Sequence, residues 1–263
     1  NQQRLQPNKM LADVAEELLE RPDPPRPADN AQVQAQAHHL GKALFALAID
    51  LVEIRLGDQS PHGAWQGVTD LARSLGVPVR TGRMGSGQQK RRDQEGRTPQ
   101  AVATVRERSD VGIDELFSTA GGDQYGVWLA LDRLQDPHNI GAIFRTAAFY
   151  GVRGVLLTTN QSAPLSATAY DVASGGLEHV RFTRVGNLAR ALRAARDAGL
   201  WVMGTSERGE DELSEAGSDR NWLVVIGSEE RGLRRLTLEH CDVVCRLSPR
   251  GEIASLNASV AAA

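Results

Sequence analysis

The chain has 263 residues, of which 41% are hydrophobic, and its formal net charge is −3. This length suits one or two domains, and the charge excludes a uniformly basic nucleic-acid-binding protein, so any RNA-binding surface must come from local clusters. The two cysteines are too few for a disulfide framework, and the longest apolar run, ALFALAI at residues 43–49, is far shorter than the roughly 20 residues of a membrane span. We therefore expect a cytoplasmic protein without a membrane segment.

The first segment, residues 1–37, is polar and contains the run RPDPPRPADN. Its prolines remove backbone donors and prevent a continuous helix, which predicts a flexible tail. The chain begins with Asn and stops inside the apolar helical pattern SVAAA, so we expect both ends to be cut. Loss of a targeting peptide before Asn1 is compatible with this start.

Residues 38–112 are predicted to form a small α/β domain. An apolar helical spacing at Val68, Leu71 and Leu75 ends at Gly76, and the strand-like VPV follows. Further along, residues 81–97 are rich in Gly, Gln and charge and predict an exposed loop, which holds the dense basic run KRR. Two interpretations of that run stay open: a solvated loop, or contact with RNA phosphates.

After a predicted linker at residues 113–123, strands and helices alternate to the end of the chain. The predicted strands are residues 127–132, 154–158, 200–205, 222–227 and 243–247, and the predicted helices are residues 139–150, 186–198, 232–240 and a last one from about residue 255. This alternation predicts an α/β fold with a mostly parallel sheet covered on both faces. A GxGxxG turn does not follow the first of these strands, which disfavours a Rossmann-type enzyme.

The segment NIGAIFRTA carries the first group of candidate site residues. Asn139 is a suitable N-cap and Gly151 a suitable C-cap, while Ile140, Phe144, Ala147 and Ala148 form a buried stripe that leaves Arg145 off the core. Ligands of open parallel sheets bind beyond the carboxyl ends of strands, which is where this segment lies. A capping Asn and a surface Arg would explain the same pattern.

Two further segments also place polar residues after an apolar strand or at the start of a helix. In WLVVIGSEERGL an apolar strand ends at Gly227 and is followed by Glu229 and Glu230, and glycines there permit close approach of a ligand. In CRLSPRGEIASLNASVAAA, Ser255 and Asn257 stand at the start of a helix of small residues. Acidic residues and caps at helix starts are also ordinary structural features, so no segment decides the function by itself.

In this order, the three segments resemble the motifs of the SpoU family of knotted RNA methyltransferases. The resemblance covers about residues 124–263, and YDVASGGLEHVRFTRVGNLARAL is similar to the branch that methylates a guanosine ribose in the peptidyl-transferase region of large-subunit ribosomal RNA. GVPVR and RTPQAVATV weakly resemble the small RNA-recognition domain of that branch, which is related to a ribosomal protein (L30e-like) fold.

The resemblance implies a trefoil-knotted α/β domain at residues 124–263, a homodimer through the knot, and S-adenosylmethionine-dependent methylation of a ribose 2′-hydroxyl in RNA. The implied target is a guanosine of 23S-type ribosomal RNA, and no metal is implied. The implied catalytic residues are Asn139, Arg145, Glu229, Ser255 and Asn257. The implied cofactor-binding residues are Thr205, with Gly204 beside it, Gly227, Leu247 and Leu256. The chain departs from the family pattern where Leu247 to Arg250 replace an Ile-Pro-Met type sequence and where Glu230 replaces a common glycine.

Other functions would also fit parts of this sequence. A transfer-RNA ribose 2′-O-methyltransferase and a non-catalytic RNA-binding ribosome-assembly factor with the same fold stay open as alternatives. A zinc site at His240, Cys241 and Cys245 lacks a visible fourth ligand, and a hydrolase triad around Ser174 lacks the GxSxG elbow. Both of these are disfavoured.

Overall fold

The N-terminal part of the structure contains a four-stranded sheet. The computed structural model describes residues 32–36, 51–56, 69–70, 72–82, 101–122, 124–253 and 255–263. The strands are β1 (Gln32–Gln36), β2 (Leu51–Leu56), β3 (Val79–Thr81) and β4 (Ala101–Arg106), in the spatial order β1-β4-β2-β3. Strand β4 is antiparallel to β1 and β2, and β2 is parallel to β3.

Several sequence predictions fall in or near this sheet. Strand β1 lies inside the segment predicted as a tail, so the small sheet begins before the predicted boundary. Residues 69–70 and 72–74 are helical and Gly76 has a φ of 72°, which agrees with the predicted helix end. The predicted basic loop begins later than expected, since Thr81 belongs to β3. The rest of the tail, the ALFALAI run, Val68, Leu71 and the KRR run lie outside the described residues.

A seven-stranded, all-parallel sheet forms the larger part, in the order β7-β6-β5-β10-β8-β11-β9. Its strands are β5 (Val127–Leu131), β6 (Gly154–Thr158), β7 (Phe182–Val185), β8 (Trp201–Thr205), β9 (Asp211–Glu212), β10 (Trp222–Ile226) and β11 (Val243–Arg246). The helices are α1 (Ile113–Phe117), α2 (Pro137–Tyr150), α3 (Ala167–Ala173), α4 (Gly176–His179), α5 (Leu188–Asp197), α6 (Arg235–Leu238) and α7 (Ala258–Ala261). The predicted strands are confirmed to within a residue or two.

Both faces of the large sheet are covered, as predicted. The side chains of β5 alternate between two hydrophobic clusters, since Leu129 and Leu131 pack with residues of α2 and α3, whereas Trp128 and Ala130 pack with residues of α1 and α5. This alternation follows from the two-residue period of a strand. It also explains why the strands read as continuous apolar runs.

Helix α1 occupies the segment that the sequence analysis assigned to a linker. Its residues Leu116 and Phe117 are buried, and the indole Nε1 of Trp128 donates a hydrogen bond to the Leu116 carbonyl at 2.9 Å. The segment therefore contributes to the core of the large sheet.

The connection between the two sheets, residues 107–112, is held against β7 by charged hydrogen bonds. The guanidinium of Arg184 donates to Asp110 at 2.7 and 3.0 Å and to Glu107 at 2.7 Å. Arg108 donates to the carbonyls of Leu177 and Glu178. Burial alone would raise the pKa of Asp110, but the hydrogen bonds and the charge of Arg184 outweigh it, so this pKa lies below its ordinary value.

Within the part of the chain that the structure describes, no helix combines the length and the apolar character that crossing a membrane requires.

Candidate active site

The candidate site lies beside β5, the strand on either side of which the chain places the other strands of the large sheet. The chain runs outward from β5 through β6 to β7, and it later returns to place β10 on the other side of β5. Strands β5 and β10 are parallel neighbours, so the loops after Leu131 and Ile226 leave the same edge side by side. Such a switch point is where open α/β sheets bind their ligands.

A hydrogen bond joins the first two predicted motifs at this edge. The amide Nδ2 of Asn139, on the first turns of α2, donates to Oε1 of Glu229, in the loop after β10, at 2.9 Å. Asn139 is buried, whereas Glu229 is exposed. Two residues that lie 90 positions apart in the chain, both predicted from the sequence as site residues, are thus in direct contact.

The predicted N-cap of α2 was wrong. Asp136, not Asn139, caps the helix, because its carboxylate accepts a hydrogen bond from the backbone N–H of His138 at 2.8 Å and Pro137 occupies the first helical position. Asn139 therefore lies inside the first turn, and its side chain remains available for Glu229. The predicted C-cap is confirmed, since Gly151 has a φ of 71°.

Arg145 lies off the buried stripe of α2, as predicted. Ile140, Phe144 and Ala147 of this stripe are at most 1% exposed, and Ala148 is partly buried. Arg145 itself is exposed, and among the described residues its side chain forms no hydrogen bond or ion pair. Its guanidinium is therefore available to a ligand.

A buried aspartate that was not predicted from the sequence joins the end of β5 to the segment after the Glu229 loop. Asp132, the residue after β5, is 1% exposed and accepts two hydrogen bonds from Arg234, at 2.8 and 3.1 Å, and one from Thr237 at 3.0 Å. Its backbone N–H also donates to the carbonyl of Ile226. The end of β5 is thereby joined to the segment that follows the Glu229 loop. A single acid directly after an apolar strand is the signal that would have identified it.

The Glu229 loop is a tight turn built on glycines. Ser228 and Gly232 exchange backbone hydrogen bonds at 3.2 and 2.9 Å, and Gly232 has a φ of 62°. The backbone of Gly232 also lies so close to Gly227 that a Cβ on Gly227 would come within 2.3 Å of it. Gly227 is therefore required by the close approach of the loop to itself.

Three of the four predicted cofactor residues lie at or directly after the carboxyl ends of adjacent parallel strands. Thr205 ends β8, Gly227 follows β10 and Leu247 follows β11, and these strands are neighbours in the order β10-β8-β11. Their carboxyl ends meet at one edge, next to the Asn139–Glu229 contact. The hydroxyl of Thr205 donates to the carbonyl of Val225 at 2.9 Å, so it joins the end of β8 to β10.

The loop after β11 has its own polar support. Ser248, one of the residues that departs from the family pattern, donates to Glu212 at 2.5 Å, and Arg246 pairs with the same carboxylate at 2.8 Å. The Ser248 hydrogen bond, together with Arg246, holds the pKa of Glu212 below its ordinary value. Leu247 and Leu256 are 49% and 58% exposed, so both leave apolar surface uncovered by the described chain.

The last predicted residues lie at the start of α7. Asn257 is the N-cap, and its side chain accepts hydrogen bonds from the backbone N–H of Ser259 at 2.9 Å and from the Ser259 hydroxyl at 2.6 Å. Ala258 packs into the same hydrophobic cluster as α2. Ser255 is exposed and precedes the helix, which begins later than predicted.

The disfavoured alternatives have structural explanations. Ser174 is the left-handed C-cap of α3, and its hydroxyl bonds to the carbonyls of Asp171 and Val172. Cys241 donates to the carbonyl of Thr237, and burial raises the pKa of its thiol to about 12. Among the described residues, no three His, Cys, Asp or Glu side chains are grouped to hold a metal ion.

Comparison with known proteins identifies the family. The model of the SpoU rRNA methylase family matches residues 126–263, which contain the entire site described above. The chain belongs to this family. It is 38% identical over 203 residues to the 23S rRNA (guanosine-2′-O-)-methyltransferase RlmB of Pseudomonas aeruginosa, covering 74% of this chain and 78% of that protein.

Two other relatives extend the comparison. The putative TrmH family tRNA/rRNA methyltransferase YacO of Bacillus subtilis is 33% identical over 215 residues, covering 81% of this chain and 84% of YacO. The crystal structure of the AdoMet-bound rRNA methyltransferase of Sinorhizobium meliloti superposes with a TM-score of 0.70 at 19% identity, covering 97% of this chain and 91% of the other. The latter likeness establishes the shared α/β fold with its parallel sheet.

Proposed function

We infer that this SpoU family protein methylates a ribose 2′-hydroxyl in RNA with S-adenosylmethionine as the methyl donor. The observation that carries the inference is the meeting of motif residues at the carboxyl edge of the large sheet, where Asn139 of α2 contacts Glu229 of the loop after β10. The name of the Pseudomonas relative points to a guanosine of 23S ribosomal RNA as the target.

The residues at this edge fit the proposed cofactor, which the name of the Sinorhizobium relative also includes. Gly227 lets the loop after β10 fold tightly on itself beside this edge, and Leu247 and Leu256 offer exposed apolar surface that suits an adenine ring. Thr205 joins the end of β8 to the neighbouring strand β10. When bound, S-adenosylmethionine supplies an electrophilic methyl group on a sulfonium ion.

Arg145 is proposed to hold the RNA phosphate next to the target ribose. A guanidinium stays protonated at any ordinary pH, so Arg145 is better suited to a charged clamp than to a general base. A bidentate contact with phosphate would orient the 2′-hydroxyl, and orientation is a large part of the rate in group transfer. Its exposed position without an ion-pair partner among the described residues supports this role.

The other proposed catalytic residues position the site. The Asn139 amide donates to Glu229 and thereby fixes the loop after β10 against α2. Asn257 caps α7 and places its first turn against the same helix, α2. Ser255, exposed just before this cap, is proposed to contact the ribose.

We also propose the trefoil knot and the homodimer that the family resemblance implies. Strand β11 lies between β8 and β9, although both of these precede it in the chain. A Cβ on Gly209 would come within 2.6 Å of the Cys245 carbonyl carbon, so the segment between β8 and β9 passes tightly over β11. This arrangement supports a chain end threaded through a loop, which is rare among folds.

The small N-terminal sheet is proposed to be the RNA-recognition part, within residues 38–112 and extended by β1. Similarity to RlmB and YacO reaches beyond the matched catalytic region, since 203 and 215 residues align. Because the YacO name includes both tRNA and rRNA, transfer RNA is kept as the second candidate substrate.

The test is methyl transfer from labelled S-adenosylmethionine to RNA transcribed in vitro and therefore free of 2′-O-methyl groups. Transcripts of 23S ribosomal RNA and of transfer RNA are compared, with Arg145→Ala as the control. We expect 2′-O-methylation at one guanosine of the 23S transcript, lost in the variant. Methylation of the transfer-RNA transcript alone would change the substrate, and RNA binding without transfer by the wild type would favour the assembly-factor alternative.

A further inference from the structure

The residue directly after Asp132 has an unusual backbone conformation. Arg133 has a φ of 64°, in the left-handed region that favours glycine. Its backbone N–H donates to the hydroxyl of Thr158 at 2.9 Å, which fixes the turn at the end of β5. A glycine would make the same backbone hydrogen bond without steric cost. The turn therefore does not explain why an arginine stands there.

Two other described non-glycine residues have positive φ, and they differ from Arg133. Ser174 bonds to carbonyls of its own helix end, which is a local reason for its conformation. Gln161, with a φ of 59°, is exposed in a turn. Arg133 alone of the three lies at the strand end where the sheet order reverses, beside the buried Asp132.

The side chain of Arg133 is also incompletely paired. Its Nε is buried and has no hydrogen-bond partner within the described chain, while the residue as a whole remains partly accessible. A buried guanidinium N–H without an acceptor is unfavourable. Neighbouring Asp132 does not supply one, and its carboxylate accepts from Arg234 and Thr237 instead. Strained backbone and an unpaired donor at one residue are typical of a ligand-binding position.

We propose that Arg133 binds a phosphate of the RNA substrate at the entrance formed by the loop between β5 and α2. This proposal rests on the proposed function and adds a second cationic contact to that of Arg145. A phosphate at the accessible part of this side chain would draw the guanidinium outward and give Nε the acceptor that it lacks, and a planar fork of donors matches phosphate geometry. Arg133 is thus a substrate-binding residue that fixes the register of the RNA relative to the Asn139–Glu229 contact.

The test compares Arg133→Gly with Gln161→Gly, which makes the same backbone change at the exposed left-handed turn. Binding of an in vitro transcribed 23S fragment from the peptidyl-transferase region is measured across a salt series. Arg133→Gly should weaken binding about tenfold and lower the slope of log affinity against log salt by about 1, whereas Gln161→Gly should change neither. Arg133→Lys should keep most of the slope.

Two further measurements separate this proposal from folding and from the proposed function. Both glycine variants relieve a left-handed residue, so neither should lower the thermal midpoint, and S-adenosylmethionine affinity should be unchanged in both. If the wild type binds and methylates the RNA while Arg133→Gly binds with the same affinity and slope, the Arg133 proposal is wrong and the proposed function stands. If the wild type does not bind RNA, both are wrong.

Discussion

At the scale of single residues, the contact between Asn139 and Glu229 depends on an amide facing a carboxylate. Asn139→Asp would place two carboxylates within hydrogen-bond distance, and their repulsion would open the contact or force one of them to bind a proton. We expect the methyl-transfer rate to fall about tenfold at neutral pH, or ~1.4 kcal/mol of transition-state free energy. The loss should shrink as the pH is lowered, because protonation restores a donor.

The matched control for this variant is Asn187→Asp. Asn187 is an exposed N-cap of α5 whose side chain accepts from the backbone N–H of Arg190, and aspartate is an equally good cap. Rate against pH, measured for both variants and the wild type, should separate them. A pH profile of Asn139→Asp parallel to that of the wild type would contradict the importance of the contact.

The second prediction at this scale concerns Asp132 and the stability of the protein. Asp132→Asn removes the charge that accepts from Arg234 and Thr237, and it leaves part of a charge-assisted network unpaired in a buried place. We expect the free energy of unfolding in urea to fall by about 2 kcal/mol. S-adenosylmethionine affinity should also fall, because the segment after Gly227 loses its attachment to β5.

Arg235→Gln is the control for Asp132→Asn. Arg235 forms an exposed ion pair with Glu239 one turn along α6, and its side chain is 80% exposed. Such pairs contribute about 0.5 kcal/mol or less. Equal losses of unfolding free energy in the two variants would show that the buried network stabilises the protein no more than the exposed ion pair does.

The sequence identified only some of these residues. Asn139 and Glu229 were predicted because each lies in a motif. Asp132 follows an apolar strand but was not selected, and its pairing with Arg234, 102 positions away, leaves no mark in the local sequence. The N-cap was misassigned because Asp136 and Asn139 are both suitable caps. Pro137, which favours the first helical position, was the sign that selects Asp136.

At the scale of elements, long and regular segments were predictable and short ones were not. Strand β6 begins and ends where the sequence predicted, since its five residues are all apolar or β-branched and all buried. Helices α3 and α4 and strand β7 were missed. They are short, and tertiary packing rather than local periodicity stabilises them. Gly141 and Gly176 allow α3 and α4 to approach α2 closely, which no period reveals.

The connection at residues 107–112 leads to the prediction for this scale. Arg184→Met removes the hydrogen bonds to Asp110 and Glu107, so amide hydrogen exchange in this connection should become faster. The control, Arg181→Met, changes an exposed arginine next to the same strand and should leave the exchange unchanged. Equal exchange in both variants would mean that the connection is held by other contacts.

The same ion pair has a defined pH dependence. The pKa of Asp110 in the fold lies below its ordinary value of 3.8, so the pair stabilises the protein above that pH. Its contribution is lost as the pH falls through the lower pKa of the folded state, because the protonated carboxyl no longer attracts Arg184. Protection of residues 107–112 in the wild type should therefore decrease only in acid, and Arg184→Met should not show this step.

At the scale of the whole molecule, the strand order could not be derived from local patterns. The alternation of strands and helices predicts a parallel sheet, but it does not say that β11 lies between β8 and β9. General topology rules also disfavour the proposed knot, because chains rarely thread through their own loops. The family resemblance, not periodicity, was the basis for expecting a knot. The motifs therefore indicate the strand order only through the family to which they belong.

The proposed homodimer is the last prediction and concerns the exposed apolar C-terminal region. Ile253 and Val260 are 76% and 57% exposed, and both lie in the part of the chain that follows β11. If this surface is covered by a second copy, Val260→Glu would bury a carboxylate in an apolar interface, which is strongly unfavourable. We expect sedimentation velocity to show a dimer for the wild type and a monomer for this variant.

Leu236→Glu, at a side chain 56% exposed on α6, is the matched control and should remain dimeric. Because the candidate cofactor residues Leu247 and Leu256 lie in the same region, loss of the dimer should also weaken S-adenosylmethionine binding. A monomeric wild type would show that these apolar side chains serve another purpose.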